Sequence, residues 1–351
     1  HTTRVRPRVQ RLLSSALTQA MYLDKLHPAE VVNAAVALIK KHGRKEAGFV
    51  NAVMRRCLEA GPESTKAGPS PLKCLPSILR NRFVENFGHD RAVQLAELFL
   101  SQSPLTFRSC TDISQAELDA VSAVRLEPHF DVGNCCFYRC DDGRALINSG
   151  LLSDNKIYIQ NPATAAAPAL FDLNGSERVL DLCAAPGGKS LLLAERLGPE
   201  GSLVAADRSE KRQELTRDNL RRFGYDHQVV IADALRPTFE PGSFDAILLD
   251  VPCSNTGVMH RRPDAAWRFT ENSLREVVKL QKEILAAAAP LVAPGGQLVY
   301  STCSIESEEN TRQFDDFMQT HPEFKLVKQL QLLPENVYDG AGAALLVKDL
   351  Q

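Results

Sequence analysis

No apolar run in this chain reaches the roughly 20 residues a membrane-spanning helix needs; the stretch from Ile284 to Val292 is too short. No signal peptide is visible, because the first residues are polar and basic. The chain begins at His1 rather than Met, so the reading expects a missing N-terminus. A small-scaffold cysteine pattern is also lacking: the nine cysteines are odd in number and scattered, which favours reduced thiols and a cytoplasmic location. Nor is there a strong charge of one sign. The net charge of -2 does not by itself suggest a nucleic-acid protein. Its distribution is more telling: from His1 to Arg56 there are eleven Lys or Arg against three acids, a plausible footprint for phosphates, although a solvated helical surface would look the same. Wholesale disorder is excluded by a hydrophobic content of 44%.

What is present divides the chain. Residues 1–60 read as an all-helical domain, with apolar residues at helical spacing in Val9, Leu12, Leu13 and Ala16 and again in Val31, Val32, Ala35, Leu38 and Ile39. Residues 61–71 are a Gly/Pro/Ser linker by composition. Residues 72–158 form a middle region, helical at Ile78–Phe87 and Ala92–Leu100, with strands expected near Leu105–Arg108 and Cys135–Arg139. From 159 to 351 strand and helix alternate. Strands are expected at Arg178–Leu182, Ser202–Ala206, Gln228–Ile231, Phe244–Leu249 and Gln297–Tyr300. Helices are expected at Lys189–Leu197, Glu210–Phe223 and Ser273–Leu291. This alternation predicts an α/β, Rossmann-like doubly wound domain.

Between the first of these strands and its helix stands Asp181-Leu-Cys183-Ala184-Ala185-Pro186-Gly187-Gly188-Lys189-Ser190. Gly187-Gly188 does not supply the G-x-G-x-x-G of a nicotinamide site. Gly188-Lys189-Ser190 matches half of a nucleotide-hydrolysing P-loop, but Cys183 holds the position of its first glycine. An S-adenosylmethionine site needs no phosphate cradle, only a close backbone turn and acids at the following strand ends. Asp207 closes the next strand, where a ribose-binding acid belongs, and Asp233 follows the third, placed for the adenine amino group. Singly each is a routine cap or loop residue; as a series they point to that cofactor.

Two thiols follow two further strands, in Asp250-Val-Pro-Cys253-Ser254 and Tyr300-Ser-Thr-Cys303-Ser304. Strand carboxyl ends floor the active site of a parallel sheet. Thiols there suit the activation of a carbon with no nucleophilicity of its own, such as C5 of cytosine, by thiolate addition to C6. Asp250 is a candidate to donate or share a proton at N3 of the base if burial raises its pKa, and Lys189 to lower a thiol pKa or bind the base carbonyl. Amine methyltransferases carry an Asn/Asp-Pro-Pro-aromatic loop where this chain has Asp-Val-Pro-Cys, which favours carbon as the acceptor. Spacing leaves open which cysteine attacks. Cys57, Cys74, Cys110 and Cys183 read by default as small buried hydrophobes. Cys135, Cys136 and Cys140 are not read as metal ligands, because the adjacent pair would face opposite sides of a strand and no histidine pair follows.

These motifs, with Arg261-Arg-Pro-Asp264-Ala-Ala-Trp267-Arg268, Gln160 and Asp339-Gly340, resemble the Sun/RsmB (Fmu) family of bacterial ribosomal RNA (cytosine-C5) methyltransferases. Residues 4–58, with the run from Ala47 to Arg56, resemble the family's NusB-like RNA-binding domain, here short in its first helices. The resemblance implies that Cys303 is the nucleophile and that Cys253 assists product release. It implies that S-adenosylmethionine touches residues 183 to 189, Asp207, Asp233 and Asp250, with Lys189 between cofactor and base. No metal is implied. It also implies RNA as partner, foremost small-subunit ribosomal RNA, and a monomer. Three positions depart from the family: Asn161 for Asp, Asn255 for Gly, and Ala341-Gly342 for aromatics. Asn tolerates the left-handed backbone of Gly, so the turn at 255 is expected to survive. The loss of aromatics is expected to weaken the grip on substrate. The competing readings are a transfer RNA enzyme, a catalytically weak RNA-binding assembly factor and a P-loop ATPase.

Overall fold

The computed structural model describes residues 5–23, 25–61 and 70–350. The expected linker falls largely on 62–69, outside the described residues. The chain forms two compact units, His1–Pro69 and Ser70–Gln351, so the expected middle region and α/β domain belong to one unit.

The first unit holds three helices, α1 (Pro7–Tyr22), α2 (Pro28–Lys40) and α3 (Arg44–Ala60). Pro stands in the first turn of α1 and α2, where its missing N–H costs nothing. Their apolar stripes, including Val9, Leu13, Val32, Ile39, Val50 and Met54, close one core.

The second unit opens with α4 (Ser77–Phe87) and α5 (His89–Leu100). An antiparallel four-stranded sheet follows, in the order β2-β3-β1-β4: β1 (Leu105–Ser109), β2 (Ala123–Leu126), β3 (Phe137–Cys140) and β4 (Ile157–Ile159). α6 (Gln115–Ala120) and α7 (Gly143–Asn148) lie between its strands in sequence. Cys135 and Cys136 precede β3 rather than lying in it, which corrects the expected Cys135–Arg139 strand. The chain at Gly133-Asn134 is a turn, and pairing with β1 begins only at Phe137.

After α8 (Ala166–Ala169) comes a seven-stranded sheet in the order β10-β11-β9-β8-β5-β6-β7. Its parallel part is β5 (Arg178–Asp181), β6 (Ser202–Asp207), β7 (Gln228–Ile231), β8 (Phe244–Asp250) and β9 (Val292–Thr302). The intervening helices are α9 (Gly188–Ala194), α10 (Glu210–Arg222), α11 (Pro263–Arg268) and α12 (Glu271–Ala288). After β9 come α13 (Thr311–Thr320) and two antiparallel strands, β10 (Phe324–Leu332) and β11 (Ala341–Lys348). Strand order reverses at β5, which pairs with β6 on one side and β8 on the other. That is the switch point at which open α/β sheets bind ligands. Val179, Leu180, Ile247, Leu248, Leu298 and Val299 are fully buried beneath it.

Two expected boundaries move for local reasons. β9 starts at Val292, not Gln297, because a register shift against β8 absorbs Pro294-Gly295-Gly296. α12 starts at Glu271, where Thr270 and Ser273 form a reciprocal cap, and stops at Ala288, two residues before Pro290.

Candidate active site

The site gathers at the carboxyl ends of β5, β6, β8 and β9. Asp181 ends β5 and is fully buried; its Oδ2 accepts a hydrogen bond from Ser190 Oγ at 2.7 Å, while Oδ1 has no partner. Burial pushes its carboxyl up to about 7. The chain then turns through Gly187, whose φ of 96° is left-handed and whose Cα faces Thr216 so closely that a Cβ would lie 3.0 Å from that side chain. Asp207 ends β6 and orders this turn: its carboxylate accepts from the N–H of Ala185 at 3.2 Å and of Ser209 at 2.9 Å.

A cleft of about 350 Å³ lies above these elements, lined among others by Gln160, Asp181, Cys183, Pro186, Lys189, Asp250, Arg261 and Asp339. Of the cofactor residues expected from sequence, Cys183, Ala184, Ala185, Pro186, Gly188, Lys189 and Asp250 line it. Gly187 shapes the turn beneath, and Asp207 acts through that turn. Asp233 is exposed, with its Oδ1 accepting from Leu235 N–H at 3.0 Å. Cys183 is held as a neutral thiol by burial.

The charges of the cleft fit a cationic ligand better than a polyphosphate. Lys189 Nζ is 2.6 Å from Asp250 Oδ2, and Ser301 Oγ donates to Asp250 Oδ1 at 2.8 Å. Burial would discharge Lys189, but the Asp250 carboxylate outweighs it and holds the ammonium above its ordinary value. A P-loop would need this Lys for phosphate and the Ser190 hydroxyl for magnesium; here the first is paired and the second bonds Asp181. The orphaned Asp181 oxygen and the close glycine turn suit the sulfonium and amino groups of S-adenosylmethionine.

The two thiols meet beside this cleft. Cys253 Sγ and Cys303 Sγ are 2.9 Å apart, and Cys303 Sγ donates to Asn255 Oδ1 at 3.2 Å. The hydrogen bond with Cys303, then burial, pushes the Cys253 thiol well up. Asn255 takes the left-handed conformation, φ 61°, and its Nδ2 donates to Cys253 O at 2.9 Å. It therefore does more than tolerate the turn, since its amide ties the Cys253 carbonyl to the Cys303 thiol. Cys253, Ser254 and Asn255 also line a second recess of about 290 Å³ with Arg268 and Phe269.

Sequence reasoning missed the residues that lock these loops together. Glu309 is fully buried; its carboxylate accepts from Ser254 N–H and Gln281 Nε2, each at 2.8 Å, and from the hydroxyls of Ser254 and Ser304. Asn310 Nδ2 donates to Ser304 O at 3.0 Å and Glu306 O at 3.1 Å. Gly342 packs against that Asn310 side chain so tightly that any Cβ would overlap it. The aromatics expected there are thus replaced, at position 342, by a glycine with a packing reason. Asn161 has one too: its Oδ1 accepts from Asp339 N–H at 3.0 Å while its Nδ2 donates to Val337 O at 2.8 Å. An aspartate could not make the second bond. Arg261 reaches Asp339 Oδ1 at 2.8 Å, which places Asp339 and Arg261 together in the cleft wall.

Comparison with known proteins agrees. The profile described as "16S rRNA methyltransferase RsmB/F" matches residues 168–344, and that of the NusB family residues 1–59. A probable ribosomal RNA small subunit methyltransferase B of Bacillus subtilis is 31% identical over 95% of this chain and 77% of its own length. The ribosomal RNA small subunit methyltransferase B of Yersinia pseudotuberculosis is 40% identical over 49% of this chain, a match that spans only 40% of that relative. A solved methyltransferase homolog protein from Pyrococcus horikoshii superposes with a TM-score of 0.64 and 25% identity, covering 80% of this chain and 100% of that one. The structure of NSun6 from the same organism with SFG shares the fold at a TM-score of 0.65 and 17% identity, covering 80% of this chain and 100% of that one. With a NusB unit ahead of a Rossmann-like domain whose cofactor is S-adenosylmethionine, this chain belongs to the RsmB/F family of 16S rRNA methyltransferases.

Proposed function

We propose that the chain methylates C5 of a cytosine in small-subunit ribosomal RNA, with Cys303 as nucleophile and Cys253 as the group that frees the product. The observation that carries this reading is the meeting of two thiols from separate strand ends, 2.9 Å apart, beside the Lys189–Asp250 pair.

Cys303 gives up its proton to solvent. Cys303 Sγ then bonds to C6 of an unstacked cytosine, and the C5–C6 electron pair moves toward C5 and N3. The Lys189–Asp250 pair shares a proton with N3 during this addition. Bound S-adenosylmethionine supplies the electrophilic methyl group that C5 accepts. With Cys303 tied up as a neutral thioether, the hydrogen bond that kept Cys253 protonated is gone, and Cys253 gives up its proton to solvent. As thiolate it takes the C5 proton; the electron pair left behind restores the C5–C6 double bond and expels Cys303 as thiolate. Residues 183 to 189 with Asp181, and the turn ordered by Asp207, would hold the cofactor. Asp233 is assigned to its adenine end. The NusB-like unit and residues 72–158 would bind RNA through phosphates and shape.

The test uses S-adenosylmethionine labelled in its methyl group with unmodified bacterial small-subunit ribosomal RNA. The RNA is digested to nucleosides. Labelled 5-methylcytidine is the expected product. Protein that binds the cofactor yet labels no cytidine in this RNA would overturn the reading, in favour of a different RNA, such as transfer RNA, or of a binding-only assembly factor.

A further inference from the structure

Both cysteines sit on loops, and loops alone do not hold two sulfur atoms at a fixed separation. The Cys253 loop follows β8 and the Cys303 loop follows β9. Strand pairing ends with Asp250 opposite Ser301, so the ladder stops before either thiol is reached. Beyond that point the loops touch directly, through Gly257 N–H to Cys303 O at 3.0 Å and Ile305 N–H to Thr256 Oγ1 at 3.1 Å, and one carboxylate ties together the two serines that follow the cysteines. Glu309 Oε1 accepts from the Ser254 N–H at 2.8 Å, and Glu309 Oε2 accepts from the hydroxyls of Ser254 and Ser304. Each serine directly follows one of the two cysteines. The two hydroxyls also lie within 3.2 Å of each other. Gln281 Nε2, from α12, supplies a further donor at 2.8 Å and Pro252 O accepts from the same amide at 2.9 Å. The Tyr300 hydroxyl fixes the Glu309 backbone by donating to its carbonyl oxygen at 2.9 Å.

A fully buried carboxylate is costly unless donors surround it, and here each oxygen has at least two. Such an arrangement is stiff, because removing the charge or one oxygen leaves buried donors unpaired. We propose that Glu309 is a positioning residue that clasps the Cys253 and Cys303 loops, so that Cys253 stays within reach of the C5 proton once Cys303 is bonded to the base. After the hydrogen bond with Cys303 and burial, the Glu309 charge adds to the upward push on the Cys253 thiol, so that its thiolate, once formed, is the stronger base. The inference rests on the cytosine-C5 reading above.

The experiment compares the intact chain with Glu309→Gln, and with Ser254→Ala/Ser304→Ala as a second route to the same clasp that spares the buried carboxylate. Each protein is incubated with S-adenosylmethionine and small-subunit ribosomal RNA, and the protein–RNA adduct surviving denaturing electrophoresis is measured. Turnover and cofactor affinity are measured alongside. A loosened clasp lets Cys303 add but slows release. The expected result is therefore about a tenfold rise in adduct with a similar fall in turnover, and a cofactor affinity within about twofold of the parent. The Glu309→Gln variant is also expected to move the ascending limb of the pH–rate profile to lower pH, because the charge that raises the Cys253 thiol is gone; a merely structural lesion would not do this. Parental turnover without adduct in both variants overturns the proposal. So does loss of cofactor binding without adduct in both, because Glu309 would then be a folding residue only. Absence of 5-methylcytidine from the parent protein instead overturns the reading on which the clasp rests.

Discussion

Cys253 Sγ and Cys303 Sγ share a hydrogen bond of 2.9 Å across fifty residues of sequence. The pairing makes the two thiols unequal. Cys303 also has the Asn255 amide oxygen as acceptor, whereas the Cys253 thiol, through its hydrogen bond with Cys303 and then desolvation, is pushed toward its neutral form. Removing each should therefore fail differently. Cys303→Ala is expected to abolish methyl transfer while leaving cofactor affinity intact. Cys253→Ala is expected to trap an RNA adduct that persists on a denaturing gel. Retained turnover in the first variant, or normal turnover without adduct in the second, would remove these roles.

The Lys189–Asp250 pair spans the wall of the cleft, anchored at one end by Ser301. Lys189→Met keeps much of the side-chain volume and removes the charge. If the ammonium serves proton sharing, turnover falls by about 10²–10⁴-fold. Cofactor affinity should change far less than turnover. Equal losses in both would mean that Lys189 acts only by shaping the cofactor site.

Much of this site is legible in the sequence because each piece is local. An apolar run, a glycine turn and an acid at the strand end are neighbours in sequence, so β5 to β8 and the 183–189 turn emerge from pattern alone. The residues that join the pieces are not local. Glu309 lies in Glu306-Ser-Glu-Glu309, which reads as a solvated acidic run until the fold buries it against Ser254 and Gln281. Asn255 looks like a substitute for glycine, and only its approach to Cys303 shows what the amide does. β10 is hidden because exposed residues such as Lys325, Lys328 and Gln329 leave little alternation along it. Its partner β11 begins at Ala341-Gly342, small residues that carry no strand signal of their own. The start of β9 is hidden by Pro294-Gly295-Gly296, whose register shift depends on the neighbouring strand.

Gly342 provides a stability test of the Cys303 loop. Its Cα packs on Asn310, whose amide holds Ser304 O and Glu306 O and whose Oδ1 accepts from Thr302 Oγ1 at 2.7 Å. Gly342→Ala must displace that side chain. Overpacking of this kind costs about 1–3 kcal/mol. Denaturant unfolding should show the loss, and turnover should fall beyond what stability explains, because Asn310 supports the Cys303 turn. Ala341→Gly, one residue earlier, should leave turnover near that of the parent. Parental stability in Gly342→Ala would mean that Asn310 moves freely and does not brace the loop.

The buried Asp181 gives a pH signature that needs no RNA. Burial lifts its carboxyl from an ordinary 3.8 to about 7. Below about pH 4 the folded and unfolded chains both hold this proton, and its contribution to stability is fully present. Between the two values the unfolded chain releases the proton while the folded chain keeps it, so stability is lost as pH rises, until the folded group also ionises near pH 7. The loss is on the order of a few kcal/mol, since each tenfold difference in proton affinity between the folded and unfolded chains corresponds to about 1.4 kcal/mol. Asp181→Asn cannot ionise, and its amide can still bond the Ser190 hydroxyl, which lies 2.7 Å from the carboxylate in the parent. Thermal melts of both proteins without cofactor, taken from pH 4.5 to 8, should show the variant gaining on the parent as pH rises. Taking the difference between the two removes groups that titrate alike in both. A difference that is flat or falls with pH would mean that Asp181 is ionised throughout, its unpartnered oxygen reached by water, and the cleft would then present a full negative charge to its ligand at every working pH.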